Sequence, residues 1–211
     1  MMDSQLHIAS VLLDIEAVKL QPDKPFTWAS GWKSPIYCDN RKTLSYPAAR
    51  KTIQDEFARQ IRDKYPDTEV IAGVATGAIA LGVLVAQELN LPFIYVRSSA
   101  KKHGLGNQVE GAWPPGQKVV IIEDLVSTGG SSLAAAQALK EAGLEISGMM
   151  AIFTYGFTIA RENFKKAEIE LTTLSDYSTL IQQAANSDFI SQEHVNILEE
   201  WRKAPSKWGV K

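Results

Sequence analysis

The stretch VVIIEDLVSTGGSSL, residues 119–133, decides the fold. It starts as a near-continuous apolar run, continues through two acids and a short loop of Ser, Thr and Gly, and ends in a helical pattern. Small residues in such a loop let backbone N–H groups converge at a helix N-terminus, where unpaired donors and the helix dipole favour a phosphate. The acids stand at the strand's carboxyl end, the edge at which open α/β sheets bind ligands. The stretch therefore predicts a phosphate site beside two carboxylates; the alternative is that acids and glycines merely cap a helix.

Apolar runs and helical patterns alternate along the chain around this stretch. EVIAGVAT, PFIYVR, QKVVIIED and ISGMMAIFTY predict buried strands, and AIALGVLVAQELN and SSLAAAQALKEAG predict helices. Strands of this kind are typical of parallel sheets, because helices cover both faces of such a sheet and leave no polar side. We therefore expect an α/β fold with a central, mostly parallel sheet flanked by helices.

The remaining segments extend this core at both ends. Apolar spacing predicts an amphipathic helix in the first twenty residues and another from Pro47 to about Tyr65, with a hairpin or loop from Phe26 to Tyr46 between them. A strand near EIELTT and helices around 177–185 and 192–202 follow the core. We expect a single domain with an N-terminal helix and hood over 1–45, the α/β core over 46–160, and a C-terminal strand and helices over 161–211.

Composition narrows the class of protein. The 211 residues are 45% hydrophobic and 22% charged, as in folded globular domains, and the net charge of −2 offers no basic field for nucleic acid. Cys38 is the only cysteine, which excludes an intrachain disulfide and fits a reducing compartment. The N-terminus does not resemble a signal peptide, and no run reaches membrane-spanning length. We expect a cytoplasmic protein that binds neither nucleic acid nor membranes.

Two common nucleotide motifs are missing: no GKS or GKT is present, and no GxGxxG follows the strand. The stretch at 119–133 instead resembles the phosphoribosyl diphosphate signature of type I phosphoribosyltransferases. The resemblance implies that Glu123 and Asp124 hold the ribose 2′ and 3′ hydroxyls, with Asp124 among the catalytic residues. It also implies a loop that binds the 5′-phosphate, formed by Leu125, Val126, Ser127, Thr128, Gly129, Gly130 and Ser131.

A second strand-to-helix turn lies in GVATGAIALG, residues 73–82. Its small residues predict either another anion site or simple close packing of the helix on the strand. The turn resembles the diphosphate-binding loop of the same family, carried here by Ala75, Thr76 and Gly77.

Cations crowd the long polar segment that begins at YVRSSAKKHGLG, residues 95–106. Four potential cations suit a polyphosphate, although a solvated charged loop is the alternative. Orotate phosphoribosyltransferases carry a similar R-K-x-x-K-x-H-G pattern. The resemblance implies that Arg97, Lys101 and His103 contact the diphosphate, with Lys101 and His103 catalytic. Ser98 stands where many members have a second lysine, a contact that Lys102 could supply.

The length of this segment is itself informative, because a polar, glycine-rich loop from 98 to 116 in a compact domain is usually functional. We expect an active-site lid. The resemblance implies a homodimer in which the 98–111 loop closes over the partner subunit's site.

The run FTWASGWKSPIYCDNR, residues 26–41, indicates which base is accepted. It resembles the F-T-x-x-S-G-x-x-S-P-x-Y motif that forms a hood over the base in the orotate branch. Its rings could stack on a flat base and its cations could pair with a carboxylate, unless they form only a buried aromatic cluster with surface charges. The residues concerned are Phe26, Trp28, Trp32 and Tyr37 for stacking, and Lys33 and Arg41 for the carboxylate. Outside this run, Ser127 is expected to be a further contact of orotate.

Two positions depart from the orotate pattern. Ala29 stands where many orotate enzymes have a lysine, and Tyr155 stands where some have an arginine that binds orotate. Our hypothesis is that Lys33 or Arg41 meets the orotate carboxylate instead.

The expected activity is transfer of ribose 5-phosphate from phosphoribosyl diphosphate to orotate, in pyrimidine biosynthesis. Mg²⁺ is the expected cofactor, held mainly by the substrate, because that cation prefers oxygen ligands and needs few from the protein. Three alternatives stay open: a transferase for another base, a non-catalytic sensor of phosphoribosyl diphosphate, and a generic nucleotide-binding module.

Overall fold

The computed structural model describes residues 2–28, 30–98 and 108–209. Its helices are α1 (Met2–Asp14), a 3-10 helix (Asn40–Ser45), α2 (Pro47–Lys64), α3 (Ile79–Leu89), α4 (Gly130–Glu141), α5 (Thr158–Lys166), α6 (Tyr177–Asn186) and α7 (Gln192–Lys203). Its strands are β1 (Val18–Leu20), β2 (Phe26–Thr27), β3 (Lys33–Ser34), β4 (Ile36–Cys38), β5 (Val70–Val74), β6 (Phe93–Val96), β7 (Val109–Glu110), β8 (Lys118–Val126), β9 (Glu145–Thr154) and β10 (Leu171–Asp176).

The central sheet has the strand order β10-β9-β8-β5-β6-β7. Every pairing in it is parallel except that of β6 with β7. The prediction of a mostly parallel sheet flanked by helices is therefore confirmed. Because parallel strands run the same way, the carboxyl ends of β5, β6, β8 and β9 meet at one edge of the sheet, where the predicted phosphate-binding turns follow them.

Helices bury both faces of the sheet. Alternate side chains of β8 point to opposite faces, so Val120 and Ile122 join one apolar cluster while Val119 and Ile121 join another. The first cluster is covered by α1, α2, α3 and α6, and the second by α4 and α5. Despite these apolar faces, none of the helices in the described ranges has the length and apolarity needed to cross a membrane.

Three segments differ from their predicted form. The prediction of one helix over the first twenty residues is wrong: α1 ends at Asp14, Glu16 has a φ of 53°, and β1 pairs antiparallel with β4. The segment from 98 to 116 contains β7, which pairs with β6. The last strand starts at Leu171, later than EIELTT indicates. In each case pairing with another strand decides the conformation. The local periodicity of the sequence contains no information about that pairing.

Of the hairpin or loop expected between Phe26 and Tyr46, the structure has a hairpin. β2 and β3 pair antiparallel, with the backbone N–H of Trp28 donating to the carbonyl of Trp32 at 2.9 Å. We call residues 26–41 the hood. β4 and the 3-10 helix complete it and lead the chain back to the end of β8, where the side chain of Asn40 donates to the carbonyl of Asp124.

Candidate active site

Glu123 is a buried acid near the end of β8, with 4% of its surface exposed. Its carboxyl oxygens accept hydrogen bonds from the Asp124 backbone N–H at 3.0 Å and from the Ser132 hydroxyl in α4 at 2.9 Å. Burial, and then the neighbouring Asp124, raise the pKa of Glu123 to about 8. At neutral pH this carboxyl is therefore largely protonated and braces the turn between β8 and α4.

Glu123 should make the protein less stable as the pH rises. The folded chain keeps a proton on this carboxyl up to about pH 8, whereas the unfolded chain releases it near 4.5, so the free energy of unfolding falls across that window. The slope is at most about 1.4 kcal/mol per pH unit for one proton. Glu56, whose pKa is lowered to about 2, affects stability only at more acidic pH.

Denaturant unfolding of the wild type and Glu123→Gln at several pH values between about 5.5 and about 8.5 tests this expectation. The amide stays neutral throughout, so we expect a flatter dependence in the variant than in the wild type. Equal slopes in the two proteins would show that the proton is not on Glu123.

Asp124 is only partly buried and lies against the turn that follows β5. β5 and β8 are neighbours in the sheet, so this turn and the acidic pair meet. A Cβ built on Gly77 would lie 2.5 Å from Cγ and 2.6 Å from Oδ1 of Asp124, closer than any real Cβ contact. Only glycine at position 77 allows this approach. The peptide bond between Ala75 and Thr76 in the same turn is cis.

The predicted 5′-phosphate loop connects β8 to α4. Gly129 caps the helix with a φ of 83°, a left-handed conformation that suits glycine. The first backbone N–H groups of α4, at Gly130 and Ser131, have no carbonyl within their own helix to bind. Asn163 of α5 donates to the carbonyl of Thr128 at 3.1 Å, and this contact braces the loop. The turn is thus braced and largely exposed, and it ends in helix N-terminal N–H groups of the kind that favour an anion.

Arg97 follows β6, next to β5, on the same edge of the sheet. Its backbone N–H donates to the carbonyl of Gln108, and the Gln108 side chain donates back to its carbonyl, both at 2.9 Å. Its guanidinium lies 3.4 Å from a carboxyl oxygen of Glu110. Arg97 therefore marks the place where the predicted lid leaves the sheet. Four other residues with predicted roles or departures, Ala29, Lys101, Lys102 and His103, lie outside the described residues.

The aromatic side chains of the hood divide into two groups. Trp28 belongs to a cluster, with its ring centroid 5.1 Å from that of Tyr155 and 5.5 Å from that of Trp201, and Trp32 stacks on it at 6.4 Å. Tyr155 is 3% exposed and stacks on Phe157. The tyrosine at the position of the family's arginine is therefore part of the packing beneath the hood. For Trp28, the structure therefore matches the alternative given above, a buried aromatic cluster, and not a ring free to stack on a base.

Lys33 is bound within the hood itself. Its Nζ donates to the Thr27 hydroxyl at 2.7 Å across the β2–β3 hairpin, and its backbone carbonyl accepts a hydrogen bond from Trp201 Nε1 at 3.0 Å. The side chain is exposed. The lysine thus joins the hairpin to α7, and its ammonium uses one of its three donors on Thr27.

Arg41 is the last residue of the hood. Its guanidinium binds Asp39 through two hydrogen bonds of 2.6 and 3.0 Å. Asp39 raises the pKa of Arg41, and the charges of Asp124 and Tyr37 act in the same direction. Tyr37 is 42% exposed and its ring lies 5.5 Å from that of Phe26. The hood therefore carries a cation held by Asp39 and a separate exposed ring.

Two residues that shape this site have no role that the sequence pattern predicts. Ser132 lies in a predicted helix, yet its hydroxyl holds Glu123. Asn40 lies in the segment predicted as a hairpin or loop, yet its side chain reaches Asp124 across 84 residues of sequence. A buried polar residue just after the short apolar strand β4 is the available signal, but its partner lies too far along the chain for a local pattern to identify.

Comparisons with known proteins agree with this geometry. The phosphoribosyl transferase domain family matches residues 44–176. The orotate phosphoribosyltransferase of Porphyromonas gingivalis is 60% identical over 203 residues, which cover 96% of this chain and 97% of that protein. That of Phocaeicola vulgatus is 56% identical over 200 residues, which cover 95% and 94%. The crystal structure of orotate phosphoribosyltransferase from Aeropyrum pernix has a TM-score of 0.76 at 26% identity, covering 87% of this chain and 99% of that one.

The fold, the two strand-to-helix turns and the relatives lead to one classification. The relatives match nearly the whole chain, hood included, and do so at more than half identity. The chain belongs to the phosphoribosyltransferase family and, within it, to the orotate phosphoribosyltransferases.

Proposed function

We propose that the protein transfers ribose 5-phosphate from phosphoribosyl diphosphate to N1 of orotate, giving orotidine 5′-monophosphate and diphosphate. The observation that carries the proposal is the edge where β5 and β8 end. Two turns suited to phosphates flank Asp124 there, and the Gly77 turn lies directly against its carboxylate. A donor substrate with a phosphate at one end, a diphosphate at the other and a ribose between them matches this order of groups.

Each part of the substrate has a place in the proposal. The cradle of Ser127 to Ser131 binds the 5′-phosphate, and Asp124 holds a ribose hydroxyl. Glu123 supports the same turn from its buried position, and its direct contact with the ribose stays a prediction. The diphosphate lies between the Ala75–Gly77 turn and Arg97, with Lys101 and His103 supplied by the lid.

Mg²⁺ is part of the proposal. The partly exposed carboxylate of Asp124 is an oxygen donor of the kind this cation prefers, and the phosphates and ribose of the substrate supply more oxygens. When bound, the metal would neutralise charge on the diphosphate and so favour its departure.

The reaction breaks the bond between ribose C1 and the diphosphate oxygen, and the electron pair leaves with the diphosphate. Orotate N1 forms the new bond to C1 from the opposite face and releases its proton. Lys101 and His103 neutralise the departing charge, and closure of the 98–111 loop keeps water from the electron-poor C1. We further propose that the enzyme acts as a homodimer that shares this loop between subunits, and that it is cytoplasmic.

The test is the loss of orotate absorbance with phosphoribosyl diphosphate and Mg²⁺, with adenine, hypoxanthine, xanthine and uracil in parallel by product chromatography. We expect metal-dependent turnover selective for orotate. Turnover of another base would support the residues assigned to the phosphates but would show that the hood does not select orotate. Binding of phosphoribosyl diphosphate without turnover of any base would favour the sensor.

The orotate carboxylate gives a separate prediction. Arg41 is a cation of the hood that interacts with the charge of Asp124, so Arg41→Ala should raise the KM for orotate about ten- to a hundredfold, the effect of losing a charged hydrogen bond. Initial rates at varied orotate and saturating phosphoribosyl diphosphate measure this. Lys33→Ala is the matched comparison, and a larger rise in that variant would assign the carboxylate to Lys33.

A further inference from the structure

Asn40 connects the hood to the acidic pair by a side chain that is 1% exposed. It follows β4 and begins the 3-10 helix, next to Asp39 and Arg41 in the hood. Its Nδ2 donates to the backbone carbonyl of Asp124 at 2.6 Å. The hood and the ribose end of the site are thus joined by a partly buried hydrogen bond.

The carbonyl of Asp124 needs this partner because of where the sheet ends. The ladder between β5 and β8 stops at the pair Gly73–Ile122, two residues before Asp124. Past that point β8 continues without β5 beside it, and side chains replace the backbone partners that β5 would supply. Glu123 accepts a hydrogen bond from the Asp124 N–H, and Asn40 donates one to the Asp124 carbonyl. A carbonyl withdrawn from water without such a partner is costly, so the two side chains fix the backbone on both sides of the Asp124 Cα.

The amide of Asn40 is oriented by Cys38, whose thiol donates to its Oδ1 at 3.3 Å. Burial raises the pKa of Cys38 well above its usual range, so the thiol keeps the proton that it donates. This contact fixes which end of the Asn40 amide faces Asp124: the N–H end points to the Asp124 backbone carbonyl, and the oxygen end points back to Cys38. The Thr43 hydroxyl donates to the backbone carbonyl of Asn40 at 2.7 Å and so leaves the orientation of the amide unaffected.

We propose that Asn40 is a positioning residue: it holds Asp124 in the place where its carboxylate meets the ribose, and it fixes the position of the hood relative to Asp124. This inference builds on the proposed function, since it assigns Asp124 to the ribose and the hood to the base. Arg41 is the next residue along the chain, so a shift of Asn40 moves the orotate cation and the ribose acid together.

Two substitutions at Asn40 test the proposal. Asn40→Ala removes the donor, and we expect kcat/KM for phosphoribosyl diphosphate to fall about tenfold or more. Asn40→Asp keeps the size of the side chain but offers a carboxylate where a donor is needed, next to the acidic pair. We expect it to be the worse of the two. A residue that merely fills space would show the opposite order, because the aspartate is nearly the same shape as the asparagine.

Thr43→Val is the matched control, because it removes a buried hydrogen bond from the same turn while leaving the contact between Asn40 and Asp124. We expect kcat/KM to stay within about twofold of wild type even if the melting temperature falls. An Asn40→Ala variant with the activity of Thr43→Val, or an Asn40→Asp variant milder than Asn40→Ala, would overturn the proposal.

Calorimetric binding of phosphoribosyl diphosphate without any base separates this inference from the proposed function. We expect both Asn40 variants to bind it more weakly than Thr43→Val does. If the wild type bound phosphoribosyl diphosphate but did not convert orotate, the proposed function would fail, and the order of affinities would still decide the role of Asn40.

Discussion

Gly77→Ala is expected to lower kcat/KM for phosphoribosyl transfer by about 100-fold in a protein that still folds, the scale of effect that follows from displacing a reacting group by about 1 Å. The added methyl group would lie 2.6 Å from Oδ1 of Asp124, so the carboxylate must move away from the turn. The backbone at Gly77 has no left-handed φ, so alanine fits its conformation. Steady-state kinetics with both substrates, together with the melting temperature, measure the effect.

Gly82→Ala is the matched control for this variant. Its added methyl group would also meet a neighbour closely, 2.6 Å from Cε2 of Phe93, but that neighbour is part of the core. We expect a lower melting temperature with kcat/KM close to wild type, assayed well below the transition. If Gly77→Ala retained wild-type activity, Asp124 would not be the acid that the turn positions.

Lys101→Ala is the second variant with a large expected effect. A cation that meets the departing diphosphate acts most strongly in the transition state, so kcat should fall by about 100-fold or more, with a smaller change in the KM for phosphoribosyl diphosphate. Single-turnover and steady-state rates separate the chemical step from binding. The melting temperature should be unchanged, because the proposed role lies in the lid.

Lys118→Ala provides the control for the loss of one positive charge. Lys118 begins β8, at the opposite end of that strand from the acidic pair, and its Nζ lies 3.2 Å from a carboxyl oxygen of Asp67. We expect this variant to keep the wild-type kcat. Turnover of Lys101→Ala within about twofold of wild type would remove Lys101 from the catalytic residues.

The core could be predicted from sequence because its signals are local. Apolar runs such as Val119 to Ile122 are strands buried on both faces, and the change from a continuous apolar run to helical spacing marks where Leu133 begins to pack as part of a helix. The acids and the small residues between these two patterns lie at the carboxyl edge of the parallel sheet, as their order predicts. That order predicts a place for a phosphate-bearing ligand, whereas the kind of ligand was indicated only by the resemblance to a known family.

The hood could be predicted only in outline. Its hairpin is local, but the pairing of Val18 with Cys38 and the contact of Asn40 with Asp124 join residues that are distant in sequence. The aromatic residues gave no indication of which rings would pack beneath the hood and which would stay exposed. Trp28 is packed because Trp201, far along the chain, lies against it, and a local pattern contains no record of that contact.

The bond between Trp201 and Lys33 joins positions 168 residues apart and has a consequence for synthesis on the ribosome. Chains emerge from the N-terminus first, so the residues of the β2–β3 hairpin are made while most of the message is still untranslated. The ring of Trp28 and the carbonyl of Lys33 lack their contacts with Trp201 until α7 has been made. The turns after β5 and β8 precede α7 in the chain, so their residues are made earlier, whereas the hood gains its final packing only after Trp201 has been synthesised.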